Sequence, residues 1–315
     1  MMNQPRVSFV VPTYNVAAYL RDCLRAIFSQ TATDRYEVIV VDDASSDDTR
    51  EIVREFADSR LTYIRHSQNM GHVATFNEGL LRARGDFIAR IDSDDKHRPY
   101  LMERVLPIFK TYPDVGLVYG DAALIDEQGI VRHPRIDRRH GGRDFYGDEY
   151  LALLQENFIP SPTVIARRAA WAKILPIPSD LGFSDWYLTL RVARTYPLYF
   201  VKDVLADYRL HTSNMHRAMV RDYREEKTIL HLLDQAFTES DHAADKAKWK
   251  SKIYATHFAR LGDKYFANEM YPDAQRCFAR AARLSPRVMA NAGLLRRYAA
   301  SYSPRAYARL KTILK

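Results

Sequence analysis

The first hundred residues alternate between short apolar runs and amphipathic stretches. Residues 7–11 (VSFVV) form an unbroken β-branched and aromatic run, the pattern of a strand covered on both faces, and Pro12 is expected to end it. Val16, Tyr19, Leu20, Leu24, Ile27 and Phe28 then recur at steps of three and four, which predicts a helix with Asn15 placed to cap its start. The alternation repeats. Strands are expected at 36–43, 61–66 and 86–95, with helices at 45–57 and 71–84 between them. The connections are too long for hairpins, so the pattern predicts a parallel sheet covered by helices.

Beyond Pro99 the chain predicts a helix over 100–111 and one or two strands over 114–126. Residues 132–148 (RHPRIDRRHGGRDFYGD) have no period and are rich in arginine, which predicts a long loop of the kind that serves as a lid. Further strands are expected at 163–171 and 198–211 around a helix at 184–195. From residue 221 the pattern is helical only, giving two expected domains, 1–220 and 221–315. Within the second, residues 252–286 resemble one tetratricopeptide-type hairpin, with small residues at packing positions and a terminal proline. A plain helical cap is the alternative.

In a parallel α/β sheet, ligands bind beyond the C-terminal strand ends. The segments expected there are 12–15 (PTYN), 42–45 (DDAS) and 92–95 (DSDD). Two carboxylates about 4 Å apart repel by roughly 4 kcal/mol at an effective dielectric near 20. Something positive must therefore offset Asp92, Asp94 and Asp95: a basic side chain, a metal ion, or both. No glycine-rich dinucleotide fingerprint and no P-loop occurs. Aspartates do not bind phosphate directly, but they bind it through a divalent cation. The acidic edge thus points to a metal-bridged nucleotide. A solvated turn with Asp92 as a cap is the alternative.

Charge adds a second feature. The net charge is +8, yet residues 241–315 hold 16 Lys+Arg against 5 Asp+Glu, so the excess lies wholly in the C-terminal part. Such a segment suits an anionic membrane surface or an acidic protein partner, or is a solvated helical face. Nucleic acid is not expected as a partner. Cys23 and Cys277 are the only cysteines, which fits a reduced cytoplasmic protein. No apolar run long enough to span a bilayer occurs, and the N-terminus does not resemble a secretory signal.

Four stretches in order, 7–31 (VSFVVPTYNVAAYLRDCLRAIFSQT), 36–49 (YEVIVVDDASSDDT), 69–95 (NMGHVATFNEGLLRARGDFIARIDSDD) and 183–192 (FSDWYLTLRV), resemble the family 2 glycosyltransferases over roughly residues 5–215. The resemblance implies an α/β GT-A nucleotide-diphospho-sugar transferase sandwich with a mainly parallel central sheet, here followed by a C-terminal all-α extension. It implies an inverting, single-displacement transfer from a nucleotide sugar, usually a UDP-sugar with Mn2+ or Mg2+, to an acceptor hydroxyl in glycan or cell-surface polysaccharide synthesis. The acceptor would be a glycan or a lipid-linked molecule. By motif, Pro12, Thr13 and Tyr14 would line the base pocket, and Asp43, with Asp42 second, would accept from the uracil N3–H. Asn69, Gly71 and Asn77 would lie near the nucleotide. Asp92 and Ser93 would contact the ribose side, and Asp94, Asp95, Asp92 and His211 would be metal ligands. His216 is a weaker candidate. Asp185 would be the general base, with Trp186 beside it either stacking on a sugar or in the core. The expected location is the cytoplasm, from the cysteine usage, with peripheral contact at the inner face of the membrane as one reading of the basic C-terminal part. Two rivals remain at this point. A nucleotidyltransferase would need a basic glycine-rich signature after the first strand. An inactive nucleotide-sugar-binding or helical interaction protein would not need the Asp43, Asp94 and Asp185 set.

Overall fold

The computed structural model describes residues 5–211 and 216–304. The chain divides into two compact units, one of residues 1–150, 158–179 and 183–213, and the other of 151–157, 180–182 and the chain from 214 on. The second unit was expected only from 221; it begins earlier and takes in two short upstream segments.

The first unit opens with β1 (Val7–Thr13), α1 (Ala17–Phe28), β2 (Tyr36–Asp42), α2 (Thr49–Glu55), β3 (Leu61–Arg65), α3 (His72–Arg82) and β4 (Phe87–Arg90). It continues with β5 (Lys96–His97), α4 (Leu101–Thr111), β6 (Leu117–Ile125), β7 (Val131–His133), β8 (Phe145–Gly147) and α5 (Tyr150–Gln155), which runs into the second unit. A 3-10 turn (Ser161–Thr163), β9 (Ile165–Arg167), α6 (Arg168–Ala172), α7 (Asp185–Ala193) and β10 (Leu198–Arg209) complete it. The sheet order is β3-β2-β1-β4-β9-β6-β10-β5, with β7 beside β6 and β8 beside β10. β3, β2, β1 and β4 are parallel neighbours. β9 is antiparallel to both β4 and β6, which returns β6 and its parallel partner β10 to the common direction. The sheet is mixed, with its long strands parallel, and the fold is α/β.

β1 and β2 are buried along their whole length, as continuous apolar strands in a covered sheet must be. Val7, Phe9 and Val11 share one core with Leu20, Leu24 and Ile27 of α1 and with Leu101, Val105 and Phe109 of α4. α3 covers the opposite face. Gly79 lets it approach, since a Cβ there would fall 2.4 Å from Val10 Cγ1. β1 runs through the expected stop at Pro12 and ends at Thr13. Pro12 shares strand parity with Val10, whose carbonyl accepts from Ile91 on the β4 side, and β1–β4 pairing stops at Val10. The missing N–H of Pro12 therefore points where no ladder partner waits.

The expected cap of α1 is also different. Asn15 sits at φ +52°, and the first helical N–H, that of Ala17, donates to Asp47 Oδ2 at 2.8 Å. Asn15 Oδ1 instead accepts from Ser46 N. The expected free loop at 132–148 is a strap, bounded by β7 and β8. Asp121 Oδ1 accepts the backbone N–H groups of Ile136 and Asp137 at 2.9 and 2.8 Å. His140 lies between Asp137 and Glu149 and stacks on Phe200. Buried Asp121 and Glu149 recruit the strap's Arg135 and Arg139, so two of its arginines anchor it to the fold.

The second unit contains α8 (His216–Arg221), α9 (Arg224–Thr238), α10 (Ala243–Ala267), α11 (Tyr271–Leu284), α12 (Pro286–Met289) and α13 (Ala292–Tyr302). α10 and α11 pack along one another where Gly262 meets the Phe278 ring. Buried Glu226 accepts from Tyr265 Oη at 2.5 Å and from both terminal nitrogens of Arg276 at 2.6 Å, a charged anchor within this unit. Lys246 Nζ closes the end of α9 on the carbonyls of Ala236 and Glu239.

A buried histidine in each unit carries a large downward shift. Burial pulls His97, whose Nε2 donates to the Pro162 carbonyl, and His257, whose Nε2 donates to the Leu154 carbonyl, down to about 4 from 6.5. As pH falls below 6.5 the unfolded chain takes up these protons first, so stability present above that value is lost on the way to about 4. At 1.36 kcal/mol per unit, each site removes about 3 kcal/mol across that window. Urea unfolding of the intact chain between pH 7 and 4 should show this decline, and His257→Gln should flatten it. An equal slope in the variant would refute the assignment.

Candidate active site

The sheet register gathers the acids. Thr13 of β1 lies opposite Asp42 of β2, and β4, beside β1, leads into the 92–95 turn. The three polar segments leave the same edge of three adjacent parallel strands.

The two acids after β2 are bound differently. Asp42 is fully buried. Its Oδ1 accepts from Ser45 N, and its Oδ2 from Tyr63 Oη at 2.5 Å and Arg65 Nη1 at 3.2 Å. Asp43 Oδ1 accepts from Met70 N at 2.7 Å and faces His66 Nδ1 at 2.8 Å, while its Oδ2 accepts from Gly71 N at 2.8 Å. Gly71, at φ +88°, then turns the chain into α3. Asp43 thus fixes the 66–71 loop, and three of a carboxylate's roughly four acceptor positions meet these groups. Pro12 and Thr13 are buried in β1, whereas Tyr14 and Met70 stand 48% and 54% exposed on the loops that leave the edge. Asn69 is exposed. Asn77 commits both arms of its amide to the backbone of Ile177, at 2.8 and 2.9 Å, and is part of the scaffold.

The 92–95 turn separates its acids. Arg90 Nη2 donates to Asp92 Oδ1 and Oδ2 at 3.2 and 3.3 Å, and His72 Nε2 lies 3.9 Å from Asp92. Burial holds His72 below its ordinary value, against the pull of Asp92. Ser93 is buried. Asp94 Oδ2 faces His211 Nε2 at 2.7 Å. Burial and then Asp92 raise the Asp94 carboxyl, and His211 draws it back. Asp95 is fully buried and turns inward. Its Oδ1 accepts from Arg209 N at 2.8 Å and its Oδ2 is without a protein partner. Burial, then Asp94 and Asp92, raise it well above the carboxylate range. The Arg209 side chain donates from Nε to the Asp94 carbonyl at 2.8 Å and from Nη1 to the carbonyls of Asp126 and Glu127. Tyr19 lies over both the Arg209 guanidinium and the His211 ring.

Asp185 is the first residue of α7 and lines a small cavity with Arg90, Ser161, Trp171 and Thr189. Trp186 is 1% exposed and belongs to the core. The side chain of His216 lies outside the described residues. Among the described residues no three His, Cys, Asp or Glu side chains are grouped to hold a metal alone.

Sequence reasoning missed Arg90, His72 and Arg209. Arg90 sits inside the quoted motif, but its place at the end of an apolar strand hid it. Arg209 was visible only as part of a strand, and its partners lie more than 80 residues away.

The model of the family described as "Glycosyl transferase family 2" matches residues 8–174. The chain belongs to that family. The putative teichuronic acid biosynthesis glycosyltransferase TuaG of Bacillus subtilis is 34% identical over 211 residues, which is 66% of this chain and 80% of that protein. The putative glycosyltransferase EpsH of the same organism is 28% identical over 78% of this chain and 72% of its own. An uncharacterized glycosyltransferase of Nostoc, 26% identical, is matched over 66% of its length. Among solved structures, S. aureus TarS 1-349 in complex with UDP-GlcNAc superposes with TM-score 0.72 at 18% identity, over 96% of this chain and 92% of that one. The mannosyltransferase PcManGT from Pyrobaculum calidifontis, in complex with GDP-Man and Mn2+, gives 0.60 at 21% identity over 98% and 81%. These likenesses establish the GT-A-like fold.

Proposed function

We propose that this protein transfers a sugar from a nucleotide diphosphate, a UDP-sugar in particular, to a hydroxyl of a glycan or surface-polysaccharide acceptor, with inversion and with Mn2+ or Mg2+. The observation that carries the reading is the Asp94–His211 pair at the strand edge where nucleotides bind in such sheets. The relatives' names support polysaccharide synthesis, and the ligands in the TarS and PcManGT titles support a nucleotide-sugar donor.

A divalent cation fits this donor set. Asp94 and His211 offer one carboxylate oxygen and one imidazole nitrogen, the partly buried Asp94 would gain from a positive partner, and a diphosphate would supply the remaining oxygens. When bound, the cation would stabilise the charge of the departing diphosphate. In this reading Asp95, buried and bonded to β10, and Asp92, engaged with Arg90, would stand aside from the cation. Asp43 would offer its remaining acceptor position to the base imide, with Tyr14 and Met70 as apolar walls. Asp185 would act as base. As the acceptor oxygen bonds to the anomeric carbon and the carbon–diphosphate bond breaks, the hydroxyl proton passes to the Asp185 carboxylate.

No helix of the described residues is long and apolar enough to cross a membrane. The basic C-terminal part would hold the protein against an anionic membrane, where a lipid-linked acceptor lies. Exposed Arg283, Arg287 and Arg296 support this, and residues 305–315, which carry four more basic side chains, lie outside the described residues. Docking of a protein partner on these helices is the second reading.

Three outcomes are expected. A donor panel read by released nucleoside diphosphate should give Mn2+- or Mg2+-dependent turnover that chelator abolishes, and Asp94→Asn should lose it while staying folded; full activity of that variant in chelator would overturn the cation's place. Asp185→Asn should bind UDP normally and lose transfer by at least about 100-fold; lost UDP affinity with normal residual chemistry would reassign the residue. Anionic vesicles at low salt should co-sediment the protein while neutral ones do not, at about 1 kcal/mol per engaged basic residue. Equal binding to both would leave a structural or protein-docking cap.

A further inference from the structure

Arg90 is a buried charge at the site that the proposed chemistry does not use. Its side chain is 6% exposed and its guanidinium lies over the Phe76 ring at 5.1 Å. Nη2 serves Asp92 and lies 3.3 Å from His72 Nε2, but Nε and Nη1 are buried without any protein partner. Arg90 lines the cavity beside Asp185, and so do Ser161 and Trp171. Ser161 Oγ and Trp171 Nε1 are likewise buried and without a protein partner. Residues of β4, the 3-10 turn and α6 that carry these unpartnered donors thus line one space together with Asp185, Ile159, Val164 and Leu188. The space has room for about one water, and buried donors left without a protein partner are what such a water would satisfy.

An arginine that served Asp92 alone would explain none of this. Asp92 is 29% exposed and reaches solvent, whereas Arg90 is sealed in with two further donors. Burial pulls its guanidinium down, yet Asp92 and then Asp185 outweigh that pull and hold the charge in place. A lysine could supply the charge but not three separately directed nitrogens.

We propose that Arg90 is a positioning residue which holds Asp92 with one nitrogen and, through a single buried water shared with Ser161 and Trp171, fixes the Asp185 carboxylate. The donor-side turn and the base then keep one geometry. This rests on the reading of Asp185 as the base.

The test is a double-mutant cycle on the full chain. Arg90→Met and Arg90→Lys are made alone and with Asp185→Asn. Turnover is read with the donor found by the panel, and binding with UDP plus Mn2+ by calorimetry. Arg90→Met should lower kcat by about 10- to 100-fold, the scale of a displaced catalytic group, with a smaller change in donor KM. Arg90→Lys should restore UDP affinity but not kcat. In the Asp185→Asn background, Arg90→Met should add less than about threefold, because coupled residues are not additive. Losses that multiply, or a loss confined to UDP affinity and KM, would overturn the proposal. Ser161→Ala removes a cavity donor without disturbing the buried charge, and it should lower kcat in the same coupled way. It serves if Arg90→Met does not fold, and an unchanged kcat there counts against the proposal. A high-resolution crystal structure of the wild-type protein is independent of turnover. An ordered water bonded to Arg90, Ser161, Trp171 and Asp185 is expected, and an empty cavity overturns the inference even where a donor is turned over. If no nucleotide sugar is turned over, the reading of the function fails, while the water still decides this one.

Discussion

The carboxylates of the turn that follows β4 must be held in one place without unfolding the sheet that holds them. Two buried arginines make this possible. Arg90 sits at the end of β4 and takes Asp92, while Arg209 sits at the end of β10 and takes the backbone of Asp94, the carbonyls after β6 and, through its own N–H, the side chain of Asp95. Unpaired charges at these depths would each be costly. Paired in this way, they tie β4 to β10 and to the turn after β6, strands that are not neighbours in the sheet order.

The loops at this edge also brace one another rather than themselves. Asp47, after β2, supplies the N-terminal partner for α1. Asn15, after β1, in turn accepts from Ser46. Asp43 holds Met70 and Gly71 at the entrance to α3. Each is a bond from one strand-end loop to another, and those with a carboxylate acceptor are the stronger kind. A site built from such contacts is rigid before any ligand arrives, which is what a transfer reaction needs of its first contacts.

This pattern explains what could be read from the sequence. The strand–helix alternation over residues 7–111 was legible because continuous apolar runs and three-and-four spacing are local signals, and the acidic edge was legible because charge at a strand end stands out. The assignments that changed depend on partners far along the chain. Asn15 looked like a cap because Asp47 was not visible as one. Asn77 looked like a nucleotide contact, yet its amide is met by a peptide 100 residues on. The strap over 132–148 looked unstructured because the anchors of its arginines, Asp121 and Glu149, lie outside it. The antiparallel insertion of β9 between β4 and β6 leaves no trace in periodicity, since a three-residue strand has the same composition in either direction.

Asp94 and Asp95 show how finely burial divides a run of identical residues. One faces an imidazole at the edge, and the other faces a backbone N–H inside. Both are pushed upward by burial, but only Asp94 has a partner that opposes the push through its side chain and is itself able to bind a cation. Asp95 meets only a backbone donor and distant guanidinium charge, and its Oδ1 fastens the turn to the backbone of β10. Asp92 faces Arg90, Asp94 faces the His211 imidazole and Asp95 turns inward to a backbone N–H, so one short run of acids meets three different surroundings.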